Sequence, residues 1–191
     1  MELTDRQWQL FDFVKQMHGS QKRKYSGQPY YTHLLSVADR VSAYPQTGCE
    51  IEIALCHDLI EDTECSLATL SSLLMSLGYD IAEDTQILAG VDDLTDKYTT
   101  VKYPKLNRKQ RKQMEAARII LSRPIAQTVK YADIIDNIQS IIANDPSFAK
   151  VYLAEIDQYI WRIDKGNPAL YAECCRLFTA AYESLQRKRH V

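Results

Sequence analysis

Apolar residues recur every three or four positions in one stretch of this chain after another. The stretches are separated by Gly, Pro and polar clusters rather than by the short, evenly spaced turns of a β protein. The pattern predicts helix after helix. Thr4 and Gln7 form a capping box, in which each side chain satisfies a backbone N–H of the other residue, ahead of Trp8, Phe11 and Val14 at helical spacing. This first helix runs to Met17. A loop with Lys22, Arg23, Lys24, Gly27 and Pro29 leads to a second helix that holds His33 and ends before Pro45, because the residue preceding a proline disfavours helical geometry. A third helix spans 49–61. Ser66 opens a leucine-rich fourth that Gly78 stops, and Asp80 with Glu83 caps a fifth that ends near Leu94. Residues 95–104 read as polar loop, and the basic segment 105–112 leads into a helix ending at Ser122. Pro124 suits the first turn of the next, which runs to about Ala143. Helices over 147–164 and Pro168–Arg187 follow, divided by Gly166-Asn167-Pro168.

A length of 191 residues supports a sizeable core and leaves little room for a second, so one all-α domain over 1–191 is expected. A hydrophobic fraction of 46% and a charged fraction of 25% exclude wholesale disorder and fibrous repeats. The net charge of −2 argues against bulk nucleic-acid binding, which needs a basic excess to displace counterions, and any anionic ligand must meet local positive charge. No apolar run approaches the roughly 18 residues of a membrane span. The N-terminal MELTDRQWQL also lacks a basic-then-apolar signal, so no membrane partner and a cytoplasmic setting are expected. Five cysteines with no CxxC pair suit reduced thiols.

Candidate chemistry lies where polar residues interrupt apolar helices. In IEIALCHDLIEDT, at 100° per residue, His57 stacks on Glu61 and Asp58 on Asp62, so all four are expected on one arc. Three carboxylates crowded on a mostly buried helix repel one another and are costly to bury unpaired. A bound cation resolves that conflict. In VKYADIIDNIQSII, Asp133 and Asn137 share a face, and PYYTHLLSVA contributes His33. Two imidazoles and two carboxylates (His33, His57, Asp58 and Asp133) suit Mn, Fe, Co or Zn and leave positions open for water and phosphate oxygens. Lys97, in the polar loop, reaches a phosphate if that loop folds over the site. The basic run from Lys105 to Lys112 reads mainly as a solvated helix face.

The stretches RKYSGQPYYTHLLSVA, ALCHDLIEDT and VKYADIIDNI resemble, in order and spacing, the hydrolase domain of RelA/SpoT homologues, especially the stand-alone small alarmone hydrolases. The resemblance covers about residues 10–170, and its HDxxED box is the most specific element. It implies an all-α HD fold, Mn²⁺ or another divalent transition metal, and removal of the 3′-pyrophosphate from ppGpp or pppGpp to leave GDP or GTP. It further implies His33, His57, Asp58 and Asp133 as ligands, and Glu61 and Asp62 as the catalytic pair that positions or deprotonates the attacking water. Arg23 and Lys24, before the Gly-x-Pro-Tyr turn, and Asn137 and Tyr152 are implied as substrate contacts. The implied partner is a small nucleotide. Hydrolysis alone is expected, since the chain leaves no room for a synthetase region. Three features depart from the family pattern: Leu34 where proline is usual, Asp136 where histidine or tyrosine is usual, and a longer loop before Pro104. They fall where base or sugar would be read, and keep an adenine alarmone or the 2′-phosphate of NADPH as alternative substrates.

Overall fold

The capping and periodicity signals translate almost one for one into helices. The structure, a computed structural model that describes residues 1–187, contains no strand among the described residues and only an isolated bridge between Lys22 and Pro29. The helices are α1 (Asp5–His18), α2 (Tyr31–Ser42), α3 (Glu50–Cys56), α4 (Leu59–Asp62), α5 (Leu67–Ser76), α6 (Ile81–Leu94), α7 (Arg108–Ile119), α8 (Pro124–Asn144), α9 (Pro146–Ile156) and α10 (Pro168–Arg187). Both expected capping boxes form, at Thr4/Gln7 and Asp80/Glu83, and a third appears at Asn107/Gln110 at the start of α7.

Two expectations need correction. The helix placed over 49–61 is interrupted at His57-Asp58, where Asp58 leaves ideal geometry at φ −99°, although the bond from Asp62 N–H to Asp58 O carries the chain onward at 2.9 Å. Consecutive side chains on an ideal helix diverge by about 100°, so two neighbours can face one point only if the helix distorts between them. The helix placed over 147–164 ends at Ile156, and a single 3₁₀ turn, Ile160–Arg162, buries Ile160 and leads into Ile163.

Burial centres on α8, whose Ala126, Val129, Tyr131, Ala132, Ile134 and Ile135 are fully enclosed. Helices α2, α3, α6, α9 and α10 pack around it. Each wholly buried leucine or isoleucine there contributes on the order of 1.5–3 kcal/mol. A Cβ on Gly90 would lie 2.4 Å from Ile53 Cδ1, so glycine is what lets α6 close on α3. All five cysteines are free; Cys49, Cys56, Cys65 and Cys174 are buried, and burial pushes the Cys56 thiol up. No described helix is long and apolar enough to cross a membrane.

Candidate metal centre and its rim

α2, the α3–α4 break and α8 meet at one point, and each brings a polar side chain into the apolar centre. His33, His57 and Asp133 are 3%, 3% and 5% exposed. His57 Nε2 lies 3.2 Å from Asp58 Oδ2 and 3.9 Å from Asp133 Oδ1. His33 Nε2 lies 3.3 Å from Asp133 Oδ1 and 3.7 Å from Asp58 Oδ2. The donor atoms of His33, His57 and Asp58 all lie within 4.8 Å of one another, close enough to share one cation at bonds of about 2.0–2.2 Å, and Asp133 adjoins them through its approach to both imidazoles. The unwinding at Asp58 has its use here, since it turns that carboxylate toward the neighbouring imidazole.

The protons point the same way. His57 Nδ1 lies 2.8 Å from the Ala54 carbonyl, which can only accept, so Nδ1 carries the hydrogen and Nε2 presents its lone pair to the cluster. That buried Nε2 has no hydrogen-bond partner. His33 Nδ1 donates to the Asp136 carboxylate at 2.7 Å, which leaves Nε2 as the nitrogen facing the cluster. Burial opposes charge on His33, but without a cation Asp133 and Asp136 outweigh it and raise the imidazole to about 10, so Nε2 then holds a proton that a metal would displace. Burial likewise opposes ionisation of Asp58 and Asp133; His57 holds the first below the usual carboxylate range, and Lys130, 2.8 Å away, holds the second well below it. Such a cluster calls for positive charge at its centre. An orphaned buried nitrogen with three more N and O donors around it fits a divalent cation of the transition series.

Glu61 and Asp62 stand at the edge of the cluster rather than on one inward arc with His57 and Asp58, and both are exposed. Glu61 accepts the Asp96 N–H at 2.8 Å. The protein packed about its carboxyl, and then Asp96, push Glu61 up to about 7. Burial, and then Asp58, raise Asp62 as well.

A pocket of about 180 Å³ opens beside the cluster, with Arg23, Lys24, Tyr30, His33, Asn137 and Phe148 in its wall. Gly27, at φ 67°, makes the tight return that presents Arg23 and Lys24 there, closed by a 2.8 Å bond from Arg23 N–H to Gln28 O. Arg23 is drawn inward onto Asp136 at 2.5 Å. Lys24 stands over Phe148 with its ammonium 5.3 Å from the ring centre. Asn137 Nδ2 donates to Asp133 Oδ1 at 2.6 Å, so it orients a cluster oxygen as well as lining the pocket. Tyr152 does not line this pocket; burial and the nearby Asp133 push its phenol well up. Lys97 is not brought to the cluster either, because its ammonium pairs with Asp92. A larger hollow of about 480 Å³ around Lys102, Tyr103 and Met114 holds none of the cluster residues.

Sequence reasoning passed over three supporting residues. Tyr30 donates its hydroxyl to Asp58 Oδ2 at 2.6 Å, and its ring stacks on buried His18 at 5.1 Å. Lys130 is the cation of Asp133, and its i,i+3 spacing was the available signal. Asp136, in sequence only a departure from the family pattern, accepts from His33 Nδ1.

An all-helical bundle with a His–His–Asp–Asp cluster where three helices converge is the architecture of the HD class. No family model matches the chain. It is 34% identical to the mouse guanosine-3′,5′-bis(diphosphate) 3′-pyrophosphohydrolase MESH1 over 134 residues, which cover 68% of this chain and 66% of that protein. It is 32% identical to a probable guanosine-3′,5′-bis(diphosphate) 3′-pyrophosphohydrolase of Mycoplasma pneumoniae over 135 residues, 68% of this chain but 17% of that much longer protein. A solved structure described as a metazoan ortholog of SpoT that hydrolyses ppGpp superposes with a TM-score of 0.76 at 20% identity, over 94% of this chain and 97% of that one. The chain belongs to the HD-type hydrolase branch of the RelA/SpoT homologue superfamily.

Proposed function

We propose that this chain is a cytoplasmic, metal-dependent phosphohydrolase that converts ppGpp and pppGpp to GDP and GTP by releasing pyrophosphate from the 3′ position. The observation that carries the reading is the orphaned His57 Nε2, set among three further donors beside a pocket that opens on His33 and is rimmed by Arg23 and Lys24. The names of the relatives supply the substrate class.

In this reading His33, His57, Asp58 and Asp133 hold the cation, Mn²⁺ in our assignment. When bound, it supplies a Lewis acid for phosphate oxygens and makes nearby water more acidic. The remaining work falls to the protein. Glu61, poised near 7, accepts the proton of the attacking water, and Asp62 orients that water from the same edge. Tyr30 keeps Asp58 turned inward. The pocket is smaller than the roughly 300–1,000 Å³ usual for whole ligands, so it takes the 3′ end of the nucleotide and leaves the rest on the open rim with Lys24 and Phe148.

The test is a substrate panel of ppGpp, pppGpp, adenine alarmones and NADPH with Mn²⁺, run beside Asp58→Ala. Pyrophosphate released from the guanine alarmones, and lost in the variant, is the expected result. Orthophosphate from NADPH with no turnover of guanine alarmones overturns the substrate assignment, and undiminished activity in Asp58→Ala overturns the site.

A further inference from the structure

Asp136 lies one turn beyond Asp133 on α8 and is 8% exposed. Both its oxygens are used. Oδ2 accepts from His33 Nδ1 at 2.7 Å and from the Arg23 guanidinium at 2.5 Å, while Oδ1 accepts the Ser36 hydroxyl at 2.7 Å. With a guanidinium, an imidazole N–H and a hydroxyl all directed at its two oxygens, it is a carboxylate fixed behind the ring of His33, turned away from the cluster.

An anionic acceptor in that position does three things. It sets the plane of the imidazole, keeps the proton on Nδ1, and makes Nε2 a better donor to a metal. Arg23 offsets the buried charge, which would otherwise be costly to hold so close to Asp133. Arg23 sits in the loop that presents Lys24 to the pocket, so the same carboxylate ties that loop to the metal cluster.

Resting on the metal reading given above, we propose that Asp136 is a positioning residue that fixes His33 as a ligand and, through Arg23, anchors the substrate-facing loop to the metal centre. Arg23 then serves recognition through Asp136 rather than as a free phosphate contact. The carboxylate at 136, which on its own would repel a polyphosphate, is neutralised within this clamp.

The experiment is calorimetric titration of the full chain with Mn²⁺, as wild type, Asp58→Ala, Asp136→Asn and Ser36→Ala, with circular dichroism on each. Asp136→Asn is expected to bind Mn²⁺ about ten- to a hundredfold more weakly and to shift the visible spectrum of the Co²⁺ form. Ser36→Ala, which keeps the charge and removes one hydrogen bond, weakens binding less and in the same direction; it decides the matter if Asp136→Asn does not fold. Wild-type affinity in both variants, with Asp58→Ala unable to bind, overturns the inference about Asp136 alone. Binding by Asp58→Ala equal to wild type, or none by wild type, overturns the metal reading itself. At saturating Mn²⁺, Arg23→Ala and the double variant with Asp136→Asn should raise KM equally, because both break the same clamp. Rises that multiply would make Arg23 an independent substrate contact.

Discussion

The cluster and the rim beside it are built on opposite plans. At the cluster the donors are buried or half-buried and braced by partners, two of them distant in sequence: His33 by Asp136 and Asp58 by Tyr30, with His57 held by Ala54 O and Asp133 by Lys130 and Asn137. At the rim, Lys24 and Lys97 are held by pairs that solvent reaches, to Asp145 at 3.5 Å and to Asp92. Pairs of the second kind contribute roughly 0–1 kcal/mol and are screened by salt. The contrast separates two tasks. Bond-breaking chemistry needs groups fixed to within about half an ångström, whereas recognition of a flexible polyanion tolerates side chains that move to meet it. Substitutions in the two regions should therefore differ in kind, altering kcat and metal content in the first and KM in the second.

The largest effect should come from His57→Ala, which removes the donor with no other partner. Loss of a cation that supplies several kcal/mol to the transition state corresponds to about a thousandfold or more in rate, and Mn²⁺ should no longer co-purify. Metal analysis and turnover of ppGpp check this together. Retained metal with retained turnover would remove the contrast, since the most enclosed donor would then matter no more than a rim lysine.

Glu61→Gln probes the boundary between the regions, because Glu61 is exposed yet carries a carboxyl pushed up to about 7. A fall in kcat of about 10²–10⁴ with unchanged Mn²⁺ affinity is expected. The sign of the pH dependence follows from its role as base. The ionised form is the active one, so wild-type kcat should rise with pH through a limb at or below about 7, lower where the cation draws charge onto the carboxylate. In Glu61→Gln that limb should vanish. A limb that persists unchanged assigns the proton transfer to Asp62.

How much was legible in the sequence divides along the same line. Helical periodicity and capping boxes located most of the helices to within a few residues, the break at His57-Asp58 and the early end of α9 excepted, and polar residues interrupting apolar helices pointed to His33, His57, Asp58 and Asp133, because burying such groups is costly without a purpose. Hidden were the features set by tertiary approach. Nothing in IEIALCHDLIEDT says that the helix breaks at Asp58, whose carboxylate lies 3.7 Å from His33 Nε2 on α2, a residue 25 positions earlier in the chain. The polarity of its loop makes Lys97 a candidate, but pairing between half-exposed residues such as Lys97 and Asp92 leaves no periodic trace. Asp136 is the most instructive case: as a sequence position it is only an unexpected charge, and its meaning appears when Arg23 and Ser36, each 100 residues or more away, close on it.

The smallest effects belong to the two lysines, and they test whether the rim stays open. Lys24 is largely exposed, stands over Phe148 and lines the pocket, whereas Lys97 is tied to Asp92 outside it. Lys24→Ala should raise KM for ppGpp several-fold with kcat unchanged, and the effect should shrink as ionic strength rises, since charges exposed at this distance are screened over about 8 Å at physiological salt. Lys97→Ala should move KM by less than about twofold. The comparison is decisive because both substitutions remove the same charge, one from the pocket wall and one from outside it. If Lys97→Ala raised KM as much as Lys24→Ala, the loop at 95–104 would have to leave Asp92 and close over the substrate. Glu61, which accepts the N–H of Asp96, would then move with it, so that recognition at the rim would reset the carboxyl proposed as the base.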